Sequence, residues 1–568
     1  MKLIRPLGIL IGLLLIVAVA AFWWNQPKKA DMADYVPADA LVYVEINSIW
    51  DIANAIQNSD AWKAALPAIG LANHSENSSR LLASRVGLGP IQAVLASRAQ
   101  MALVIVGVSS SEKDDQLRVK PEVALVVETH TAKWRMKSAV TDDIRRLAEF
   151  AYGASVCTER SNAVDYVECT ESKGDRKIIG AIDGTVVIIG NSDKAVENCL
   201  AVRQGQRPSL HTDPEMLRLR QSLKSASTLS FGYVSQTNAA KLVSLAGPLL
   251  IGKAPGDAQL ERLLSDSTSK ILRGVAWISG THAGLIEDHY QISLDPDVIK
   301  RLEPVFQNSN VSENFWRLIP NSFRSVTIYG TANPQAAWSS LNSAVAIKLD
   351  AVSSVIFSAL MKSGLSGYGI DDPYNLIGAL GTPVITLRPT LGEGSLLLAP
   401  VKDEVALRRE LSNALIREGK GQILNDTQSE PVREKEFTAL FVNGFVILGK
   451  TENVLVYLAQ LKNNELITHE RLARLRTVRN ESAVTTYTND RNSLLGAIAA
   501  MSRFGGRTLT DNELTALTDR FSNVEVSCTE STLNSSGIER RTLSAFGQFG
   551  SLISFAQADS ANTATRGK

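Results

Sequence analysis

The chain has 568 residues, 45% of them hydrophobic and 21% charged, the balance of a folded globular protein with room for more than one core. Its 59 Lys and Arg stand against 58 Asp and Glu, a formal net charge of +1, so no overall field draws it to nucleic acid or to an anionic lipid surface. Four cysteines in so long a chain are too few for a disulfide scaffold, and none falls at a CxxC or comparable metal-ligand spacing.

At the amino terminus "LGILIGLLLIVAVAAFWW", Leu7 to Trp24, is an uncharged run of about the length that crosses a bilayer as a helix. Lys2 and Arg5 precede it, Phe22, Trp23 and Trp24 close it where an aromatic belt would lie, and Lys28 and Lys29 follow. Ala18 and Ala20 also offer an A-x-A signal cleavage site. The length of the run and its aromatic end favour a retained anchor over a cleaved signal. Either way the rest of the chain is expected outside the cytoplasm, with residues 1–33 as anchor (or signal) and linker.

A first folded unit, residues 34–306, begins with "YVPADALVYVEINSIWDIANAI", a strand opened by proline and followed by a helical pattern. "PEVALVVETH" predicts a strand, and "WRMKSAVTDDIRRLAEFAYGA" an amphipathic helix with three- and four-residue apolar spacing. Two hairpins follow, "SVCTERSNAVDYVECTES" and "KIIGAIDGTVVIIG", the second turning at Asp183-Gly184. A helix after Gly190, "TDPEMLRLRQSL", a strand-helix in "STLSFGYVSQTNAAKLV" and a closing hairpin "GVAWISGTHAGLIEDHYQISLD" complete the unit. From about Ile319 the same order returns. "IPNSFRSVTIYGTANPQAAWSSL" matches the opening, "GSLLLAPVKDEVALRRELSNALIREG" the second strand and its helix, and "EFTALFVNGFVILG" the hairpin, with Asn443-Gly444 where Asp183-Gly184 stood. "THERLARLR", "SAVTTYTNDRNSLLGAI" and "VEVSCTESTLNSSGIERRTLSAFG" follow in turn. Some seven elements in one order predict an internal duplication, the second copy spanning residues 314–555 before a polar tail, 556–568, expected to be disordered.

The segment "VVIIGNSDKAVENCLA" and its counterpart "FVILGKTENVLVYLAQ" therefore read as strand, turn and capped helix in each copy. Ser192 and Thr451 are the expected N-caps, and Asp193 and Glu452 suit the positive end of the helix. One glycine does not make a phosphate loop. No HExxH, GxSxG, GxxxxGK[ST] or complete GxGxxG occurs, so the signatures of the better-known metalloprotease, serine hydrolase and nucleotide-binding chemistries are missing. His74, His130, His211, His282, His289 and His469 are scattered, so no metal site and no cofactor is predicted. Only His282 and His289 lie close, near Glu287 and Asp288. Alternation puts Glu287, His289 and Gln291 on one face, read as solvated, and Ile286, Tyr290 and Ile292 on the other. Cys157 and Cys169 fall opposite each other in a predicted hairpin, either as a cross-strand disulfide or as two buried thiols. Cys199 reads as a packed core thiol and Cys528 as a strand residue without an obvious partner. The glycine-rich stretch Met361 to Asn375 offers Tyr368, Asp371, Asp372 and Tyr374 as recognition-loop candidates, against the plainer reading of a turn before a helix starting near Pro373. "SSSEKDDQLRVKP", Ser109 to Pro121, reads as a solvated hairpin loop.

The "PADALVYV" opening, Pro37 to Val44, set just beyond a single apolar run and followed by repeated strand-helix and hairpin units, resembles a bacterial membrane-anchored envelope family with a domain of unknown function. The resemblance implies a single-pass protein of the bacterial inner membrane with its ectodomain in the periplasm, and brings no catalytic residues. The expected fold class is α+β: an N-terminal transmembrane helix followed by two tandem similar domains with largely antiparallel sheets covered by helices. The expected role is a non-catalytic binding or scaffolding module. A hydrolase-like enzyme with its site between the copies, and a carrier of lipid or another hydrophobic ligand, are the alternatives. The expected partners are the membrane, through Leu7 to Trp24, and an envelope protein or lipid, with no nucleic acid.

Overall fold

The computed structural model describes residues 29–67, 99–113, 116–131, 133–172, 174–223, 227–250, 258–308, 318–349, 363–390, 393–425, 431–463, 482–504, 508–521 and 526–550. The fold is mixed α/β, with nineteen strands among the described residues. Two compact units divide the chain. The smaller takes residues 1–38, 45–49 and 94–212, the larger 39–44, 50–93 and 213–568. Strand β1, Val42–Ile46, draws residues from both.

In the smaller unit the strands are β2 (Gln100–Lys113), β3 (Gln116–Glu128), β4 (Ser155–Ser161), β5 (Asp165–Glu171), β6 (Lys177–Asp183) and β7 (Val186–Gly190). They pair antiparallel in the order β2-β3-β7-β6-β5-β4. The segment expected as a solvated hairpin loop, Ser109 to Pro121, is a hairpin laddered almost to its tip, since Ser109 pairs with Lys120 and Lys113 with Gln116. The amphipathic helix Lys133–Tyr152 lays Ile144 and Ala148 on Val167, Cys169 and Ile178. Cys157 and Cys169 lie directly opposite on β4 and β5, joined as a disulfide with Cα atoms 4.1 Å apart. The bridge closes a loop of 12 residues. Replacing both cysteines by Ser is expected to cost about 2 to 3 kcal/mol, because the bridge restricts the unfolded chain. Denaturant unfolding of the double variant checks this, and an unchanged midpoint contradicts it.

The larger unit contains β8 (Ser230–Ser235), β9 (Leu272–His282), β10 (Leu285–Leu294), β11 (Ser325–Tyr329), β12 (Val384–Arg388), β13 (Leu396–Pro400), β14 (Gly421–Leu424), β15 (Phe437–Val442), β16 (Phe445–Lys450), β17 (Val484–Asn489), β18 (Val526–Asn534) and β19 (Gly537–Ser544). One sheet runs β8-β9-β10-β19-β18-β17-β11-β12-β13-β16-β15-β14. Every pairing in it is antiparallel except β14 with β15. The run "LLLAP" of β13 has no alternation because both its faces are covered: Leu396 and Leu398 enter one core, Leu397 and Ala399 the other. Connectivity repeats along the chain. The order β2-β3-β7-β6 in the smaller unit is built as β12-β13-β16-β15 is in the larger, and β8-β9-β10 as β17-β18-β19.

Two expectations are corrected. Among the described residues no helix is long and apolar enough to cross a membrane, which overturns the transmembrane-helix fold class and the single-pass inner-membrane localisation. Lys133–Tyr152 has the length, 20 residues, but carries Asp142, Asp143, Arg145, Arg146 and Glu149 along it. The run from Leu7 to Trp24 lies outside the described residues, as do His74, His469, "THERLARLR" and the tail. The expected succession of α+β domains also gives way to a mixed α/β fold. Its physical cause is the seam between β10 and β19, where eight residue pairs from Ile286↔Ser544 to Ser293↔Gly537 carry the sheet across from one hairpin to the other.

The twin strand-turn-helix segments differ in detail. Ser192 caps the helix Asp193–Arg203 by accepting from the Ala195 N–H, as expected. Thr451 does not cap Thr451–Lys462. It is the first helical residue, and its hydroxyl donates to the Lys435 carbonyl. The first helix buries Ala195, Val196, Cys199 and Leu200, whereas the second buries Val454, Tyr457 and Leu458 and leaves Ala459 exposed. The Tyr457 hydroxyl, bonded to the Leu318 carbonyl at 2.9 Å, accounts for that turned face.

Candidate functional site

A groove of about 620 Å³ lies on one face of the larger unit, over the β10–β19 seam, a volume within the usual range of ligand sites. Period-two alternation builds its floor. Asp288, Tyr290 and Ile292 project from β10, Arg540, Thr542 and Ser544 from β19, Ser527 and Thr529 from β18, and Thr488 from β17. The register sets them in rows, with Tyr290 beside Arg540, Asp288 beside Thr542, and Thr542 beside Thr529. The walls come from two helix starts: Asp490, Ser493 and Leu494 at Arg491–Phe504, and Ala545 to Gly547 after β19.

Asp288 is the most constrained group in the groove. Only 3% of it is exposed. Its carboxylate accepts from the Ser279 hydroxyl and from the Gln548 backbone N–H at 2.9 Å. The Gln548 side chain donates onward to Ser230 at 3.2 Å and to Ser279, while Trp277 Nε1 donates to Gln548 Oε1 at 2.9 Å. Burial pushes the Asp288 carboxyl up to about 6, against the pull of the two donors, with a further upward push from Glu287. The chain can approach Asp288 this closely because Gly547 has φ +56° and no Cβ. A Cβ there would stand 2.5 Å from Ile286 Cγ2 and 2.9 Å from the carboxylate. Asp288 thus fastens the segment after β19 to the sheet.

The other charged groups are less committed. Asp490 is half-buried. Burial raises its carboxyl, and a hydrogen bond from the Ser527 hydroxyl pulls the other way. Arg540 is exposed, and among the described residues neither it nor Asp490 has an ion-pair partner. Tyr290 stacks on Trp277 at 6.2 Å between ring centroids; burial and the Asp288 charge push its hydroxyl up to about 12, against the nearby Arg540.

The opposite face of the same seam carries the residues that the sequence brings together. His289 Nε2 lies 3.0 Å from Glu539 Oε1, and Arg541 lies 2.7 Å from Glu539 and 3.8 Å from Glu287. Gln291 bonds Asn534. This face is less solvated than expected, since Gln291 is buried. The close contact with His289, outweighing burial and helped by Arg541, holds Glu539 down to about 2. His282 stands 4.0 Å from Glu287, and His211 bonds Asp31 at 2.9 Å. No group of three or more potential metal ligands occurs among the described residues.

The recognition-loop candidates are dispersed and none lines the groove. Tyr368 belongs to a core and its hydroxyl lies 2.6 Å from that of Ser395. Asp372 caps Pro373–Gly378 by accepting from the Tyr374 N–H. Asp371 lies 3.6 Å from Lys420, and Tyr374 is exposed. Cys199 is buried, which pushes its thiol up to about 12 and removes it from reactive chemistry. Asp288, Asp490 and Arg540 were missed by sequence reasoning. The available signal was an acid at a period-two position of the apolar face formed by Ile286, Tyr290 and Ile292. No family model matches the chain, and neither a curated protein nor a solved structure matches it.

Proposed function

We propose that the larger unit is a non-catalytic binding module that takes a small organic molecule in the groove over the β10–β19 seam. The observation that carries this reading is the groove itself: hydroxyls and two titratable groups, Asp490 and Arg540, without ion partners among the described residues, set beside apolar wall over a floor locked by the Asp288 network. Locked floors with a few convergent polar groups are the common design of ligand sites.

The enzyme reading draws support from two carboxyls raised by burial in one groove. Geometry weighs against pairing them. Asp288 sits on β10 and Asp490 just beyond β17, three strands away, roughly 14 Å at about 4.8 Å per step. Paired-carboxylate hydrolysis works at about 5 to 9.5 Å. Both Asp288 oxygens, moreover, already accept internal hydrogen bonds. The carrier reading draws on the groove's largely apolar surface and is less favoured because an apolar ligand would desolvate Arg540 and Asp490 without pairing them.

The test is saturation-transfer NMR of the full chain against a mixture of sugars, aromatic acids and alkyl amines, repeated with Ser493→Trp. Ser493 is exposed at the wall, so an indole there fills the groove without entering a core. Ligand signals that vanish in the variant are expected. Signals equal in both proteins, or none in either, would overturn the reading.

A further inference from the structure

The groove contains two kinds of recognition chemistry side by side, and their placement selects a ligand class. This inference rests on the binding reading above. Arg540 is a planar, permanently charged donor on the floor, with no ion-pair partner among the described residues, and it stands beside the Tyr290 ring in the register. A guanidinium in that setting suits a carboxylate, which it can grip with two parallel hydrogen bonds. Further along the groove, Ser527 on β18, one strand from β19, and Thr488 and Asp490 on and just beyond β17, two strands from it, form a second polar end. Carboxylate and hydroxyls together accept from and donate to neighbouring hydroxyl groups. Tyr290 and Phe546 supply apolar and aromatic surface within the same groove.

We infer that the groove binds a sugar acid, a mono- or disaccharide whose carboxylate meets Arg540 and whose ring hydroxyls meet Asp490 and its neighbouring hydroxyls. A plain hydrophobic ligand would leave Arg540 and Asp490 desolvated and unpaired, which costs affinity. A neutral sugar would leave Arg540 unused. A simple inorganic anion would engage Arg540 alone and leave the rest of the groove empty. The sugar acid is the class that uses each of these groups.

Isothermal titration of the full chain with D-glucuronate, D-glucose and benzoate tests this, repeated on Arg540→Gln, Asp490→Asn and Ser493→Trp. Arg540 is exposed and Asp490→Asn removes a half-buried charge, so both variants are expected to fold, as circular dichroism would verify. The expected result is D-glucuronate binding that exceeds glucose binding, weakens about tenfold or more in Arg540→Gln, and weakens several-fold in Asp490→Asn. Glucuronate binding indifferent to Arg540→Gln, or glucose binding as tight as glucuronate, overturns the assignment. Benzoate binding that Ser493→Trp abolishes, with neither sugar bound, overturns the ligand class while the groove reading stands. Absence of all three, or binding untouched by Ser493→Trp, overturns both.

Discussion

Gly537→Ala is expected to cost roughly 3 to 5 kcal/mol and to part the β10–β19 seam. Gly537 opens β19 with φ +137°, a conformation L residues rarely adopt, and a Cβ there would stand 2.1 Å from the Ile292 carbonyl oxygen and 2.9 Å from the Leu294 nitrogen. Both are backbone atoms of the paired strand, so no side chain can swing away. Backbone strain and overpacking then add. The adjacent pairs Ile292↔Ile538 and Gln291↔Glu539 are the first that would separate. Hydrogen exchange of β10 and β19 amides, with urea unfolding of the full chain, measures the effect. Faster exchange confined to the seam with a clear drop in midpoint is expected; a loss below about 1 kcal/mol would show that the seam tolerates a methyl group and is not the tight junction described.

The second large effect is a pH dependence set by Asp288. In the unfolded chain its carboxyl returns to the ordinary range near 3.9, while in the fold burial raises it to about 6. Between those values the folded protein holds a proton that the unfolded chain releases, so this group's contribution is complete below about pH 4 and is lost as pH rises through about 6. Two units correspond to about 3 kcal/mol at the limit. Asp288→Asn keeps the side chain neutral. Its oxygen can accept from the Gln548 N–H, and its amide can donate to the Ser279 oxygen. The variant is therefore expected to lose the decline between pH 4 and 6.5, and to exceed the parent by about 1 to 2 kcal/mol at pH 7.5. Unfolding free energies of both proteins at pH 5 and 7.5 decide it. A variant destabilised at both pH values would mean that the ionised carboxylate is the better acceptor. The other face of the seam responds in the opposite sense, since Glu539, held down to about 2 by His289, contributes stability above about pH 4.5 that is lost as pH falls through about 2.

Local structure was largely legible before the fold. Alternation and turn pairs located the hairpins around Asp183-Gly184 and Asn443-Gly444, and the opposition of Cys157 and Cys169 followed from counting outward from one turn. What is local in sequence was readable because its physics is local: a period of two, a cap, a tight turn. The seam was not, because nothing in "LIEDHYQISL" or "GIERRTLS" states which strand will lie beside which. That choice depends on edges left open by the rest of the sheet. For the same reason the groove stayed hidden. Its residues are gathered from five strands and two helix starts, whereas in the sequence histidine and carboxylate stand visibly close only around His289, on the other face. Asp288, one residue earlier, points to the groove face. The apolar run from Leu7 to Trp24 lies outside the described residues; among those, the longest helix, Lys133–Tyr152, draws its apolar face from 3.6-residue spacing and carries charge on the remainder.

The central claim, a ligand groove over the seam, is tested most directly by methyl NMR of the full chain labelled at threonine, titrated with the sugar and aromatic acid probes. Thr488, Thr529 and Thr542 face the groove, whereas Thr515 and Thr518 lie on the helix Asp511–Arg520 outside it. Shifts at the three groove methyls, saturating together while the helix methyls stay fixed, are the result expected. Shifts confined to other threonines, or none for any probe, would contradict the claim.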